Sequence, residues 1–363
     1  MKKWKKQQVL CLLLVCMVVL FGCSRTRIID KLGIVHVFGF DQAENGELIG
    51  TALIPDYTSS KEGGQIKSIE EQVPTGGLFA PRMSTHTSTP IELAKIRVVL
   101  FGKNYAESGI QHMIDRFIIN PQIGTQLQIA ASTHSAKETL NAFKQEKSLT
   151  LAERLQHNME RQYLPYTNLH YFLNHFYGEG TDAYVPMLTL DDQNRVKVDG
   201  IGVFKEDQLK LHLNPDQTTL FSYVKSESSQ ATYRIQHRED EQKEIITFRS
   251  FKTKSNWDWN QKEKQLKLHL QLSVTLTQIP DRFDLEKTKD TSEMEKIVEK
   301  DLEKGLADLF AILQENEVDP VGIGNIVRSQ DRSWEEETFY KDYASLPISV
   351  DVNLKIIHSG LEG

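Results

Sequence analysis

The stretch Leu266-Lys267-Leu268-His269-Leu270-Gln271-Leu272-Ser273-Val274-Thr275-Leu276 alternates apolar and polar residues without a break. Successive side chains of a strand point to opposite faces, so this segment predicts a strand with one buried face and one wet face. Working backward, Glu244–Ser255 and Ala231–Arg238 have the same character, and Asn256–Asn260 (NWDWN) is the expected turn before Gln265. Working forward, Thr291–Glu315 carries apolar residues at 294, 297, 298, 302, 306, 309, 310 and 313, with Glu and Lys elsewhere. That stripe predicts one long amphipathic helix laid on the strands. Asp319-Pro320 stops it, Ile323–Val327 and Trp334–Tyr343 form shorter helices, and Leu346–Ile357 closes the region as another alternating strand.

Upstream, the elements mix without regular strand–helix–strand alternation, which predicts an α+β, multi-domain protein with mixed or antiparallel sheets, each flanked by helices. Residues 216–363 form the expected carboxy-terminal α+β domain, and 181–215 the expected linking hairpins around Tyr184–Leu190, Arg195–Lys205 and Gln208–Leu213. Residues 32–180 form an amino-terminal α+β region of one or two domains. Within it, Leu32–Phe40 predicts a buried strand, Asn45-Gly46 a hairpin turn, Leu48–Ile54 a strand stopped by Pro55, and Ile96–Phe101 a central strand. Residues 56–80 are expected as a loop within an irregular segment, 56–90. Met83–Thr89 is expected as an edge strand, and Pro90 as the start of a short helix. Tyr105–Ile119 is expected as one helix, and Ser135 with Glu138 marks the capped start of another.

The first 22 residues set the compartment. Lys2, Lys3, Lys5 and Lys6 precede an uncharged run from Val9 to Phe21, then Gly22 and Cys23. A basic start, a short apolar core and a small residue at the cut describe a secretory signal peptide. The run is short for a spanning helix, which needs about 20 residues. Cysteine after a small residue is the pattern of bacterial lipoprotein processing, so we expect cleavage between Gly22 and Cys23, lipidation of Cys23, and a tether over 23–31. Two acyl chains give stable anchoring where one does not. The alternative is an uncleaved anchor whose cysteine is incidental.

Hydrophobic content of 39% and mean hydropathy of −0.42 describe a soluble, globular body. The formal charge is −7, and losing the four leader lysines takes it to −11. Nucleic-acid binding needs clustered cations, so an acidic chain argues against it. The cysteines are Cys11, Cys16 and Cys23 only. The exported body is therefore expected to hold no disulfide, no thiol nucleophile and no thiolate metal site.

No chemical constellation stands out. His170 and His175 are five apart, whereas a helical zinc pair needs four. Asp191-Asp192-Gln193-Asn194 lacks the glycine and closing glutamate of a calcium loop, and a solvated turn is the better reading. Trp257 and Trp259 share a strand face, and capping a sheet is favoured over stacking on a sugar or a partner. Glu335-Glu336-Glu337 is expected on an exposed helix face. The glycine-rich stretch 63–77 lacks a P-loop lysine, and no G-x-S-x-G occurs. Catalytic residues, metals and cofactors are accordingly none.

Four stretches in order resemble one family, the C-subunit lipoproteins of spore germinant receptors, Ger(x)C type. They are Arg27–Leu32 with Val35–Asp41 (VHVFGFD) behind Cys23, then Ile96–Ala106 (IRVVLFGKNYA) with Gly109-Ile110. Gly200–Leu209 (GIGVFKEDQL) follows, and last Trp334 with the strand Ile348–Ile357 and Gly360. Ser24 and Arg25 stand where the family often has an aromatic residue. The resemblance implies three α+β domains and a non-enzymatic role on the outer face of the inner spore membrane. It also implies A- and B-type integral membrane subunits as partners, the latter permease-like. Competing readings are an extracytoplasmic solute-binding lipoprotein, which needs two α/β lobes around a cleft, and a wall hydrolase using paired carboxylates.

Overall fold

The computed structural model describes residues 33–56, 65–93, 95–121, 123–146, 150–225, 230–239 and 242–357. The expected signal peptide and tether, with Gly22 and Cys23, lie outside them, as do residues 57–64, the first part of the expected loop 56–80, and residues 358–363.

A mixed eight-stranded sheet dominates the described residues up to Leu213. In chain order its strands are β2 (Val37–Gln42), β3 (Leu48–Asp56), β4 (Gln65–Val73), β6 (Val98–Phe101), β7 (Gln128–Ser132), β8 (Tyr184–Leu190), β9 (Val196–Lys205) and β10 (Gln208–Leu213). Two short strands, β1 (Gly33–Ile34) and β5 (Ile91–Glu92), pair in parallel beside it. Across the sheet the order is β10-β9-β8-β7-β6-β2-β3-β4. The four central strands are parallel, and an antiparallel pair closes each side.

Helices cover both faces, which is why the central strands read as continuous apolar runs. Val98 and Leu100 enter one core, and Val99 and Phe101 the opposite one. The second face carries α1 (Phe79–Met83), α2 (Lys103–Ser108), α3 (Gln111–Ile119) and, after the crossover, α6 (Leu169–Phe176). The first face carries α4 (Ala136–Gln145), α5 (Leu151–Glu160) and α7 (Pro215–Lys225). Residues 181–215, read as linking hairpins, supply the last three strands of this sheet. The first of them, β8, pairs with β7 more than 50 residues upstream, which local patterning does not reveal, and β9 and β10 follow as hairpins.

The second lobe is a four-stranded sheet, β11 (Thr232–Glu239), β12 (Gln242–Asn260), β13 (Gln265–Gln278) and β14 (Ile348–Ile356). Its inner face carries Leu266, Leu268, Leu270, Leu272 and Val274, all at most 2% exposed. Against it lies α8 (Thr288–Glu315), contributing Met294, Val298, Leu302, Leu306, Leu309, Phe310 and Leu313. Each such side chain contributes about 1.5–3 kcal/mol on burial. Helices α9 (Ile323–Gln330) and α10 (Glu336–Tyr343) lead back to β14. One apolar core runs from the first face of the large sheet, through α7, into this lobe. The α+β class expected from sequence describes the molecule.

Six local expectations are corrected. Leu48–Asp56 continues through Pro55. Leu53 C=O accepts His36 N–H, so Pro55, of the same parity, turns its missing donor toward β2 where pairing has ended. Residues 65–73 are a polar edge strand rather than loop; edge strands carry charge because one side meets water. Met83–Thr89 is the end of α1 and a 3-10 turn, and Pro90 leads into β5 rather than a helix. The segment Tyr105–Ile119 is two helices, broken where Gly109 takes φ +119° and a Cβ would meet Asp207. The expected turn at Asn256–Asn260 is strand; the reversal follows at 261–264, with Lys264 at φ 48°.

The exposed edge β14 is closed by α8 itself. Val352, Leu354 and Ile356 N–H donate to Glu303, Glu299 and Glu295 Oε1 at 3.2, 2.9 and 3.0 Å. Four helical residues rise about 6 Å and two strand residues about 6.6 Å, so the two ladders stay in step. The triple variant E295A/E299A/E303A frees three edge donors and should self-associate with rising concentration in sedimentation velocity. A variant as monodisperse as the wild type would remove the edge-blocking role.

Candidate functional site

Three aspartates each clamp the start of a helix, two of them across a long sequence separation. At the end of β2, Asp41 accepts Ala136 N–H at 2.8 Å and Lys137 N–H at 2.9 Å. Negative charge there complements the helix dipole. At the β9–β10 turn, Asp207 accepts Gln111 N–H at 3.2 Å, and its carbonyl accepts Ile110 N–H at 3.0 Å. The third clamp, Asp319, is fully buried. Its Oδ1 accepts Gly322 and Ile323 N–H, and its Oδ2 accepts Gly324 N–H, each at 2.8 Å; Tyr340 OH donates to Oδ2 at 2.9 Å.

Asp319 also joins the two lobes. Asp182 N–H donates to its carbonyl at 2.9 Å, and Asp319 N–H returns to Asp182 Oδ2 at 2.6 Å. Lys205 Nζ lies 3.3 Å from Asp182 and 4.7 Å from the centroid of the Tyr340 ring. Lys225 Nζ donates to Val321 C=O at 3.1 Å. Gly180 N–H donates to Glu336 Oε1 at 2.8 Å, and Gly180 C=O accepts Asn325 N–H. Gly180 sits at φ +74°, and a Cβ there would lie 2.7 Å from Asn325 N, so only glycine permits this approach. Burial pushes the carboxyls of Asp319 and Asp182 above their usual range, against donated hydrogen bonds and, at Asp182, the Lys205 charge. Burial pulls the Lys225 ammonium down. The bonds of Asp182, Gly180 and Lys225 to residues 319, 321, 325 and 336 hold lobe to lobe.

The second feature is a cleft of about 730 Å³ between α3 and the α1–β5 segment. Phe38, Phe40, Phe79 and Phe117 form its base, with ring centroids 4.7–6.2 Å apart. At its mouth Arg116 Nε donates to His112 Nε2 at 3.2 Å. The cleft offers apolar contact, with Glu92, His112, Asp115 and Arg116 in its lining.

The residues singled out from sequence take structural places. Asp191 Oδ1 accepts Gln193 and Arg195 N–H, and its other oxygen meets the Arg195 guanidinium at 2.7 Å; these bonds hold its carboxyl low. Trp257 packs edge-on against Phe310 at 5.7 Å, and Trp259 Nε1–H reaches Asp331 Oδ2 at 3.4 Å. The pair thus caps the sheet. Glu337 is exposed and pairs with Lys341, whereas Glu336 belongs to the joint. His170 and His175 do not converge. His170 is exposed, and His175 tilts against Tyr184 at 5.5 Å. Among the described residues no three His, Cys, Asp or Glu converge on a possible metal position, and no helix is long and apolar enough to cross a membrane.

Burial, helped by the Lys225 charge, lowers His175 to about 4. A depressed imidazole pKa contributes stability above the unfolded value near 6.5, and that stability is lost as pH falls toward 4. The full difference is about 3 kcal/mol. Wild type should therefore lose urea stability from pH 6.5 to 4 more steeply than His175→Phe, whose other titrating groups are shared. Equal slopes would remove His175 as the cause.

The joint and the clamps were missed from sequence. The available signals were Asp319 ahead of glycines 322 and 324, and Asp41 at the end of Gly39-Phe40-Asp41.

Residues 25–190 match the family described as spore germination protein N-terminal domain, and residues 199–360 the family described as spore germination B3/GerAC like, C-terminal. A curated relative, spore germination protein GerQC of Bacillus cereus, is 27% identical over 366 residues, covering 99% of each chain. The crystal structure of the GerBC protein shares the fold, with a TM-score of 0.56 and 17% identity over 88% of this chain and 97% of that one.

Proposed function

The chain belongs to the Ger(x)C family of spore germination proteins, and on that premise we propose that it is a lipid-anchored, non-enzymatic subunit of a nutrient germinant receptor. Cys23 carries the lipid after cleavage at Gly22, on the outer face of the inner spore membrane. Its partners are the integral A-type and permease-like B-type subunits. Tethering makes contacts with them effectively intramolecular in the membrane plane, so modest surfaces suffice.

The observation that carries a scaffolding role is the joint. Asp182, Asp319, Tyr340 and Lys205 interlock the lobes, and a coupled body transmits position rather than chemistry. A solute-binding lipoprotein would instead hinge two α/β lobes around a ligand; here the second lobe is a small sheet locked to the first.

The test is germination of spores lacking this gene and its paralogues, followed as loss of refractility in single nutrients. The response to at least one nutrient should disappear and return on complementation. Unchanged responses to every nutrient would overturn the reading.

A further inference from the structure

We infer that one end of the large sheet, where the amino-terminal strands of the parallel block begin, lies against the membrane interface. This rests on the lipid-anchored reading. The described chain starts there, at Gly33, and only residues 24–32 separate it from Cys23. Nine residues span at most about 30 Å even when extended, so this end is the part of the body kept nearest the lipid.

Four of the segments at that end are joined by backbone hydrogen bonds. Arg97 N–H donates to His36 C=O at 2.8 Å and Gln128 N–H to Arg97 C=O at 2.9 Å, which sets the entries to β2, β6 and β7 side by side. Leu169 and His170 N–H donate to Leu127 and Thr125 C=O, which brings in the segment before α6.

The composition of these segments is unlike the rest of the chain. Residues 33–36 (GIVH), 93–97 (LAKIR), 118–127 (IINPQIGTQL) and 163–171 (YLPYTNLHY) contain no Asp or Glu, although about one residue in seven of the chain is acidic. Their formal charges are Lys95 and Arg97, both exposed. Exposed apolar residues concentrate there too: Ile119 is 80%, Tyr166 56%, Ile118 52% and Tyr171 45% exposed. Tyr166 and Tyr171 stack edge to face at 5.4 Å.

Within these four segments tyrosine and isoleucine stand with lysine and arginine and without a carboxylate, which matches the headgroup region of an anionic bilayer; Asp56, Glu92 and the Glu206-Asp207 turn lie at the same end, outside them. Aromatic rings settle at the interface, cations gain from anionic lipid, and carboxylates are repelled. Elsewhere the acidic surface would be held off the same membrane, so the patch fixes orientation while the acyl chains supply the affinity.

The lack of other thiols after Cys23 makes the test clean. Single variants I119C, Y166C and, in the second lobe's hairpin, K262C are made in the full chain, acylated at Cys23 and nitroxide-labelled. They are reconstituted on vesicles of phosphatidylglycerol and phosphatidylethanolamine. At positions 119 and 166, access to a water-soluble nickel chelate should fall about twofold or more and access to oxygen should rise, with position 262 unchanged. Labels that stay aqueous while the chain sediments with the vesicles would overturn the orientation and leave the anchor standing. A chain that does not sediment with the vesicles would overturn both. Labels aqueous on vesicles yet shielded in spore membranes would overturn the bilayer as occupant and assign the patch to a protein subunit.

Discussion

Asp319→Ala should cost about 4 kcal/mol and turn one unfolding transition into two. Removing the carboxylate leaves three buried N–H groups and the Tyr340 hydroxyl without their acceptor. Each unsatisfied buried donor costs about 1–3 kcal/mol, less whatever water or local rearrangement recovers. The same loss frees the segment after Asp319, through which Asp182 and Gly180 hold the second lobe. Apart from Trp4 in the leader, the tryptophans Trp257, Trp259 and Trp334 all lie in that lobe, so in the chain without residues 1–22 tryptophan fluorescence follows it alone, while far-ultraviolet circular dichroism follows both. In urea the two signals should coincide for wild type and separate for the variant. Tyr340→Phe removes a single donor and keeps the ring, so about 1 kcal/mol and one transition are expected. Coincident signals and a cost below about 1 kcal/mol for Asp319→Ala would show that the lobes are held by apolar packing alone.

The second large effect is expected at Gly102, where one methyl group is too much. A Cβ there would lie 1.8 Å from Asp41 Oδ1 and 2.6 Å from Ala136 N. The clash falls where Asp41 clamps α4, so Gly102→Ala either pushes the carboxylate off its two donors or lifts the helix from the sheet. Overpacking costs about 1–3 kcal/mol, and losing charge-assisted bonds about 1.5–3 more. We expect a loss of about 3–5 kcal/mol, with poor recovery of soluble protein. Combining it with Asp41→Ala removes one of the clashing groups. The pair should then cost at least about 1 kcal/mol less than the sum of the singles in a double-mutant cycle read by urea unfolding. Strict additivity would show that the two residues do not meet as described.

Why some of this was legible in the sequence and some was not follows from the range of the interactions. The alternation from Leu266 to Leu276 and the stripe from Met294 to Leu313 are local signatures of one-sided burial, and both elements stand where they were expected. The Ser135–Glu138 cap is equally local: Ser135 Oγ accepts Glu138 N–H at 3.1 Å. By contrast, Asp182 and Asp319 lie 137 residues apart, and Asp41 and Lys137 lie 96 apart, so no window contains either pair. The edge strand Gln65–Val73 was hidden because water on one side lets it be polar. Flanking aspartate and asparagines give Trp257 and Trp259 the look of turn residues; their rings pack on the core while those polar neighbours point outward. Gly39, Gly102 and Gly109 were visible as glycines inside recognisable stretches. What they make room for, namely helix α4, Asp41 and Asp207, required the fold.

The central claim is that a lipid on Cys23 holds this body beside its membrane partners. Its most direct test is the mass of the amino-terminal peptide from protein purified out of native spore membranes. The account predicts a mature chain that begins at Cys23, lacks residues 1–22 and carries a thioether-linked diacylglycerol. A chain that retains the leader, or an unmodified Cys23 recovered from the aqueous fraction, would contradict it.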